Sequence, residues 1–263
     1  MAKAVQTTKS KDGTSIAYSA IGAGPVIIFA VGAFNDRSSG AELAGALADS
    51  FTVVTYDRRG RGASGDTQPY AVEREIEDLA ALVEYAGGEA AVLGYSSGAV
   101  LALRAAAAGV SITKLIMHDA PLIVDGMRPV PPASLIAELE AAIAEGKRGE
   151  AVELFQLKMI GMPPAVVEQM REAPFRPGLE AMAHTLPYEL KIIGDGMAVP
   201  YDLLDKADMP TLVIDGQTAP WMTRTAEVIA AALPDGRHLS IAGLGHELTP
   251  ELLAEPLAAF LAR

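Results

Sequence analysis

Residues 90–107 read AAVLGYSSGAVLALRAAA, and the chain changes character in the middle of this stretch. Ala90 to Tyr95 reads as a strand and Ser97 to about Ala108 as a helix. The junction, Gly94-Tyr95-Ser96-Ser97-Gly98, fits the pattern G-x-S-x-G at a strand-to-helix turn. A sharp turn there holds Ser96 in a strained conformation, lifts its oxygen clear of the sheet, and needs small residues on either side. The helix that follows directs its first amides at the reacting oxygen. The plain alternative is a helix start with serine caps and packing glycines. The elements on either side favour Ser96 as a nucleophile.

The same alternation continues outward in both directions. Upstream lie strands near Ser15 to Ile21, over Pro25 to Val31 and over Phe51 to Tyr56, with a helix at Ala41 to Ala48. Between Tyr70 and Ala86 the residues Val72, Ile76, Leu79 and Val83 recur at helical spacing while Glu73, Glu77 and Glu84 fall off that stripe, which predicts an amphipathic helix covering a sheet. Downstream, Thr113 to His118 is a further strand. Prolines at 129, 131, 132, 163, 164, 174 and 177 then punctuate short helical pieces such as Leu135 to Ala144 and Ala151 to Met159. Strand and helix alternate again from Thr211: strand to Ile214, helix Thr223 to Ala232, strand His238 to Ala242, helix Glu251 to Leu261. The expectation is a mainly parallel sheet flanked by helices, residues 1–120 and 209–263, with a helical cap over 121–208 inserted before the penultimate strand.

Composition narrows the function classes. The chain has 263 residues, half of them apolar, and a formal charge of −12 that disfavours nucleic acid and anionic membranes as partners. A neutral or apolar small molecule fits better. With no cysteine, thiolate metal sites, disulfides and cysteine nucleophiles are excluded. No apolar run approaches the roughly 18 residues of a membrane span, and residues 1–13 carry no secretory apolar segment, so a cytoplasmic monomer or homodimer is the default expectation.

The order Val31-Gly32-Ala33-Phe34, YDRRGRG over 56–62, GYSSG, helical cap, LVIDG, and GLGHE over 243–247 resembles the α/β-hydrolase superfamily from about Gly13 to Leu261. The likeness is greatest to small cap-bearing esterases, lactonases and cofactor-free haloperoxidase-like members. It implies that His246, in a Gly-rich loop after the last strand, is the base, and that the amides of Ser97 and Ala33 form the oxyanion hole. The family usually has His-Gly where this chain has Val31-Gly32, which matters little to a backbone donor. Neither a metal nor an organic cofactor is implied. The arginine-rich loop 57–62 reads as structural rather than anion-binding. His118 reads as a packed core residue and His238 as exposed.

One departure stands out. The family most often places its acid after the strand that follows the cap, but that turn here is Gly216-Gln217-Thr218-Ala219. Some relatives, including many haloalkane dehalogenases, use the end of the strand before the cap, where this chain has Asp119. Asp119 is therefore the expected acid, with Asp215 as the less favoured candidate. An apolar pocket is expected from Phe34, Tyr95, Phe155, Met159, Met162, Met182, His184, Tyr188 and Trp221. The implied reaction is hydrolysis of an ester or lactone through an acyl-enzyme. Perhydrolysis or halogenation through a peracid, biosynthetic acyl transfer or cyclisation, and a non-catalytic ligand receptor remain open alternatives.

Overall fold

The computed structural model describes residues 5–124 and 126–262. Eight strands form one sheet: β1 (Gln6–Lys9), β2 (Ser15–Gly22), β3 (Val26–Ala30), β4 (Thr52–Tyr56), β5 (Ala90–Tyr95), β6 (Ile112–His118), β7 (Thr211–Asp215) and β8 (Gly236–Ser240). Their order is β1-β2-β4-β3-β5-β6-β7-β8. The first two run antiparallel to their neighbours and the rest are parallel. β1 is an addition to the sequence expectation: its QTTK side chains are largely exposed on an edge, so it has no apolar alternation to announce it.

The central strands are buried on both faces, as a parallel strand between two helical layers must be. In β3, Ile28 and Ala30 join one core while Ile27 and Phe29 join the other. The second core is closed by α1 (Ala41–Leu47) and the C-terminal helix Pro250–Leu261, through Leu43, Leu47, Leu253, Leu257 and Phe260. The first is closed by α2 (Val72–Tyr85), α3 (Ser97–Ala107) and the helix Pro220–Ala232. Helix α2 buries Leu79 and Val83 of the expected stripe, but also Glu75 and Asp78. Both carboxylates meet arginines of the 57–62 loop, contacts that helical spacing does not reveal.

Between β6 and β7 the chain forms α4 (Leu135–Ala144), α5 (Arg148–Leu154), α6 (Pro164–Gln169), α7 (Arg176–Ala181), α8 (Leu186–Ile193) and α9 (Tyr201–Leu204). The piece expected over Ala151 to Met159 is split, since Phe155–Ile160 runs on from α5 as a π-helical turn. Among the described residues of this segment the only β feature is an isolated bridge between Ile123 and Ala198, joining its two ends. Helices α10 (Pro220–Ala232) and α11 (Pro250–Leu261) complete the sheet layers. No described helix is long and apolar enough to cross a membrane.

Candidate active site

Chain order reverses direction across β3 and β5, and the carboxyl ends of parallel strands converge beside such a switch point. Ser96 follows β5, Asp119 follows β6, and the turn 31–35 follows β3. Ser96 has φ 56° and ψ −128°, a conformation that side-chain-bearing residues avoid. The glycines of its motif permit the turn. A Cβ on Gly98 would lie 2.0 Å from the Ala30 carbonyl oxygen, and one on Gly94 would lie 2.4 Å from Ala99 Cα. Gly32 is held to the same standard from the other side, since a Cβ there would sit 2.6 Å from Ser96 Cβ.

The His246 ring nitrogen Nδ1 lies 2.8 Å from Asp119 Oδ2. Asp119 is fully buried, and its two oxygens also accept from Gly216 N–H at 3.2 Å and Thr218 Oγ–H at 2.9 Å. With Nδ1 engaged by the carboxylate, Nε2 is the imidazole nitrogen left free. The Tyr95 hydroxyl donates to the His246 carbonyl at 3.0 Å and its ring lies 4.9 Å from the imidazole, which fixes the loop carrying the histidine. Burial, with Glu247 and Asp119 nearby, pushes the Tyr95 phenol well above its ordinary pKa and keeps it a donor. Gly245 N–H donates to Gly216 O at 2.9 Å, so the loops after β7 and β8 dock directly.

Asp215 points away from this group. It accepts from Gln217 N–H at 3.0 Å, Thr223 Oγ at 2.6 Å and Ser240 Oγ at 3.1 Å, and lies 2.7 Å from His238 Nε2. His238 is thus tied by its ring to a buried carboxylate although its residue is exposed. His118 is wholly buried with neither ring nitrogen hydrogen-bonded to a described residue. Desolvation pushes its pKa down to about 4, so it is neutral near pH 7.

Beneath the turn 31–35 lies a buried ionic cluster. Arg58 holds Glu75 through two hydrogen bonds, at 2.7 and 2.8 Å, and reaches Glu189 of α8 at 3.1 Å. Arg61 also pairs with Glu189, and donates to the carbonyls of Gly32 at 2.5 Å and Asn35 at 3.0 Å. The Ser97 hydroxyl donates to Glu189 as well. Burial opposes both guanidinium charges. For Arg58 the two carboxylates outweigh burial and hold its pKa above the ordinary value, whereas for Arg61 burial and the neighbouring Arg58 charge outweigh Glu189 and Glu75 and drive it below. Arg59 is separately held by Asp78 and Asp12. All three arginines of the loop are therefore turned inward to carboxylates and carbonyls.

A cavity of about 400 Å³ opens over Ser96 and His246. Ala33 and Ser97, whose amides are the expected oxyanion donors, line it, with Ser97 N–H among the four amides that a helix start leaves unpaired. Of the expected pocket residues, Phe34, Tyr95, Phe155, Met159 and Trp221 line it too, and Phe34 meets Phe155 edge to face at 5.5 Å. Met162, Met182, His184 and Tyr188 do not, which corrects the sequence expectation. Tyr188 instead stacks on Tyr70 at 3.7 Å and bonds Asp66 and Gln68. His184 packs by the Gly60 turn, Met162 follows the left-handed turn at Gly161, and Met182 caps α7. The lining that sequence reasoning missed includes Ile193, Met197, Thr218 and Arg128. Arg128 lies in a proline-rich run without periodicity, so nothing local marks it. Among the described residues no group of three His, Asp or Glu is arranged to hold a metal.

Comparison with known proteins bears on the fold and the family. Residues 27–263 match the sequence profile described as the Alpha/beta hydrolase family. An alpha/beta hydrolase from Sphaerobacter thermophilus is similar at 47% identity, with a TM-score of 0.92 over 97% of this chain and 100% of that one. A hydrolase from Pseudomonas aeruginosa shares the fold at 23% identity and TM-score 0.74, with both chains fully covered. The uncharacterized hydrolase YraK of Bacillus subtilis is 38% identical over 95 residues, a stretch spanning 35% of either chain. Since the profile runs from β3 through the C-terminal helix and the Sphaerobacter protein superimposes over nearly the whole length, this chain belongs to the alpha/beta hydrolase family.

Proposed function

We propose that this hydrolase cleaves a carboxylic ester or lactone of a small, largely apolar substrate through an acyl-enzyme on Ser96. The observation that carries the proposal is the buried Asp119 carboxylate 2.8 Å from His246 Nδ1, in a cavity shared with the strained Ser96. Asp119 orients the imidazole so that Nε2 accepts the Ser96 proton as Oγ attacks the carbonyl carbon. The negative charge passes to the carbonyl oxygen, which meets the Ala33 and Ser97 amides. Collapse breaks the bond to the alcohol, which leaves with the proton from His246. Water then repeats the sequence on the acyl-enzyme and regenerates the serine. Residues 121–208 act as a cap whose Phe155 and Met159 side chains give the substrate an apolar wall.

The pairing of Asp119 with His246 supports catalysis over a ligand receptor, the reading favoured by the absence of an acid at position 219, where Ala219 lines the cavity. The test is hydrolysis of p-nitrophenyl acetate together with labelling by a fluorophosphonate probe. Ser96→Ala, with an unchanged circular dichroism spectrum, should lose both; a folded variant that still labels overturns the nucleophile assignment.

A further inference from the structure

We propose that Arg128 is a carboxylate-binding site, and that the preferred substrate is an ester or lactone bearing a free carboxylate away from the scissile bond. This deepens, and rests on, the hydrolase reading above. Among the described residues, and apart from His246, the cavity is lined by neutral side chains and one cation, Arg128. Its guanidinium lies over the Trp221 ring at 4.8 Å, and Nη2 donates to the Met159 carbonyl at 2.9 Å. Among the described residues it pairs with no carboxylate. The buried arginines Arg58, Arg59, Arg61 and Arg176 each hold at least one. Among the described residues Arg104 and Arg148 also donate only to carbonyls, so what sets Arg128 apart is its place in the wall of an apolar cavity beside Ser96 and His246.

The local chemistry suits a carboxylate. The Trp221 ring and the Met159 carbonyl hold the guanidinium against the cavity wall, while the remaining N–H groups have no partner among the described residues. A guanidinium held in place by such contacts is a planar fork that can receive both oxygens of a carboxylate. Partial burial also lowers the pKa of Arg128, so its charge lacks the compensation an anion would supply. The overall charge of −12 repels anions at long range, which makes a single cation inside the cavity the discriminating contact rather than a general attraction.

The probes are the monomethyl esters of succinate, glutarate and adipate against their dimethyl esters, with kcat/KM measured for each. The wild type should favour the best half-ester over its diester by about 10-fold or more, consistent with a charged hydrogen bond. The acid length that peaks reports the distance from Arg128 to Ser96. In Arg128→Gln that ratio should fall by about 10- to 100-fold, and Arg128→Lys should recover part of it. An unchanged ratio in folded Arg128→Gln overturns the proposal. A second readout needs no turnover: Trp221 is the chain's one tryptophan, so its fluorescence should respond to monomethyl glutarate in Ser96→Ala and fail to respond in the Arg128→Gln double variant. Equal responses in the two proteins also overturn the carboxylate site. Diesters cleaved in a Ser96-dependent way without a half-ester preference would sink this inference alone. Loss of all Ser96-dependent cleavage alongside intact carboxylate binding would sink only the hydrolase reading.

Discussion

Replacing Glu189 by Gln tests the ionic cluster that joins α8 to the floor of the site. Arg58 and Arg61 are balanced by Glu75 and Glu189, all four buried, so the substitution leaves one net positive charge where no water reaches. Gln keeps one acceptor where the carboxylate offered two, so one guanidinium loses its acceptor while the amide NH2 can at best donate to a rotated Ser97 hydroxyl. Arg58 retains Glu75 through two hydrogen bonds, so the cost falls mainly on Arg61, whose other partners are the carbonyls of Gly32 and Asn35. Removing one member of a buried pair costs about 3–5 kcal/mol. For a chain of this size that corresponds to a Tm lower by roughly 6–20 °C. Urea unfolding followed by circular dichroism measures the difference directly. Arg61→Met and Glu189→Gln should also combine well below additivity, since the second change removes a charge already unpaired. A loss under about 1 kcal/mol for Glu189→Gln, or additive costs in the pair, would refute the view of this cluster as a dry, charge-balanced unit.

Two further expectations concern the carboxylates and the buried histidine. Folded Asp119→Asn should lower turnover at least ~100-fold, less than the ~10⁴ of the best-studied serine protease, whereas Asp215→Asn should cost under ~10-fold in turnover while destabilising the β7–β8 edge. The reverse ranking would assign the acid to Asp215. His118 is faced by Asp119, His246 and Asp215, and burial outweighs the two carboxylates to depress its pKa to about 4. The unfolded chain, with an ordinary histidine near pH 6.5, therefore binds more protons over that interval, and stability is lost as pH falls through it. The contribution is roughly 3 kcal/mol between pH 7 and 4. His118→Phe should lose that much less stability than wild type across the same window, and parallel pH curves for the two proteins would contradict the buried, neutral state.

Much of the site was legible because its signals are local. The Ser96 turn needs a strand, small neighbours and a helix within a few residues, and each has a pattern of its own. Asp119 is the candidate acid because it ends the strand before the cap, where some relatives of the resembled family carry theirs, and because carboxyl ends of parallel strands share an edge. The apolar residues of β3 through β7 announced a sheet buried on both sides. In contrast, β1 is polar and exposed, so pairing with β2 rather than any apolar pattern makes it a strand.

The rest depended on which distant groups folding brought together. Glu75, Asp78 and Glu189 look like ordinary helix surface charges in sequence; they are buried because Arg58, Arg59 and Arg61 turn inward to meet them across separations of 17 to 131 residues. Short helices carry too few turns to state which face is inward, so Met159 and Tyr188 were equal candidates until packing sent one to the cavity and stacked the other on Tyr70. Arg128 is the extreme case, because a cation at a cavity wall is defined by what surrounds it. The sequence by itself determined the alternating apolar core and marked Ser96 as the candidate nucleophile, since those rest on local spacing. The tertiary structure alone decided which charges are neutralised and which one faces the cavity, since electrostatic energy depends on burial and on distances that contiguous residues do not encode.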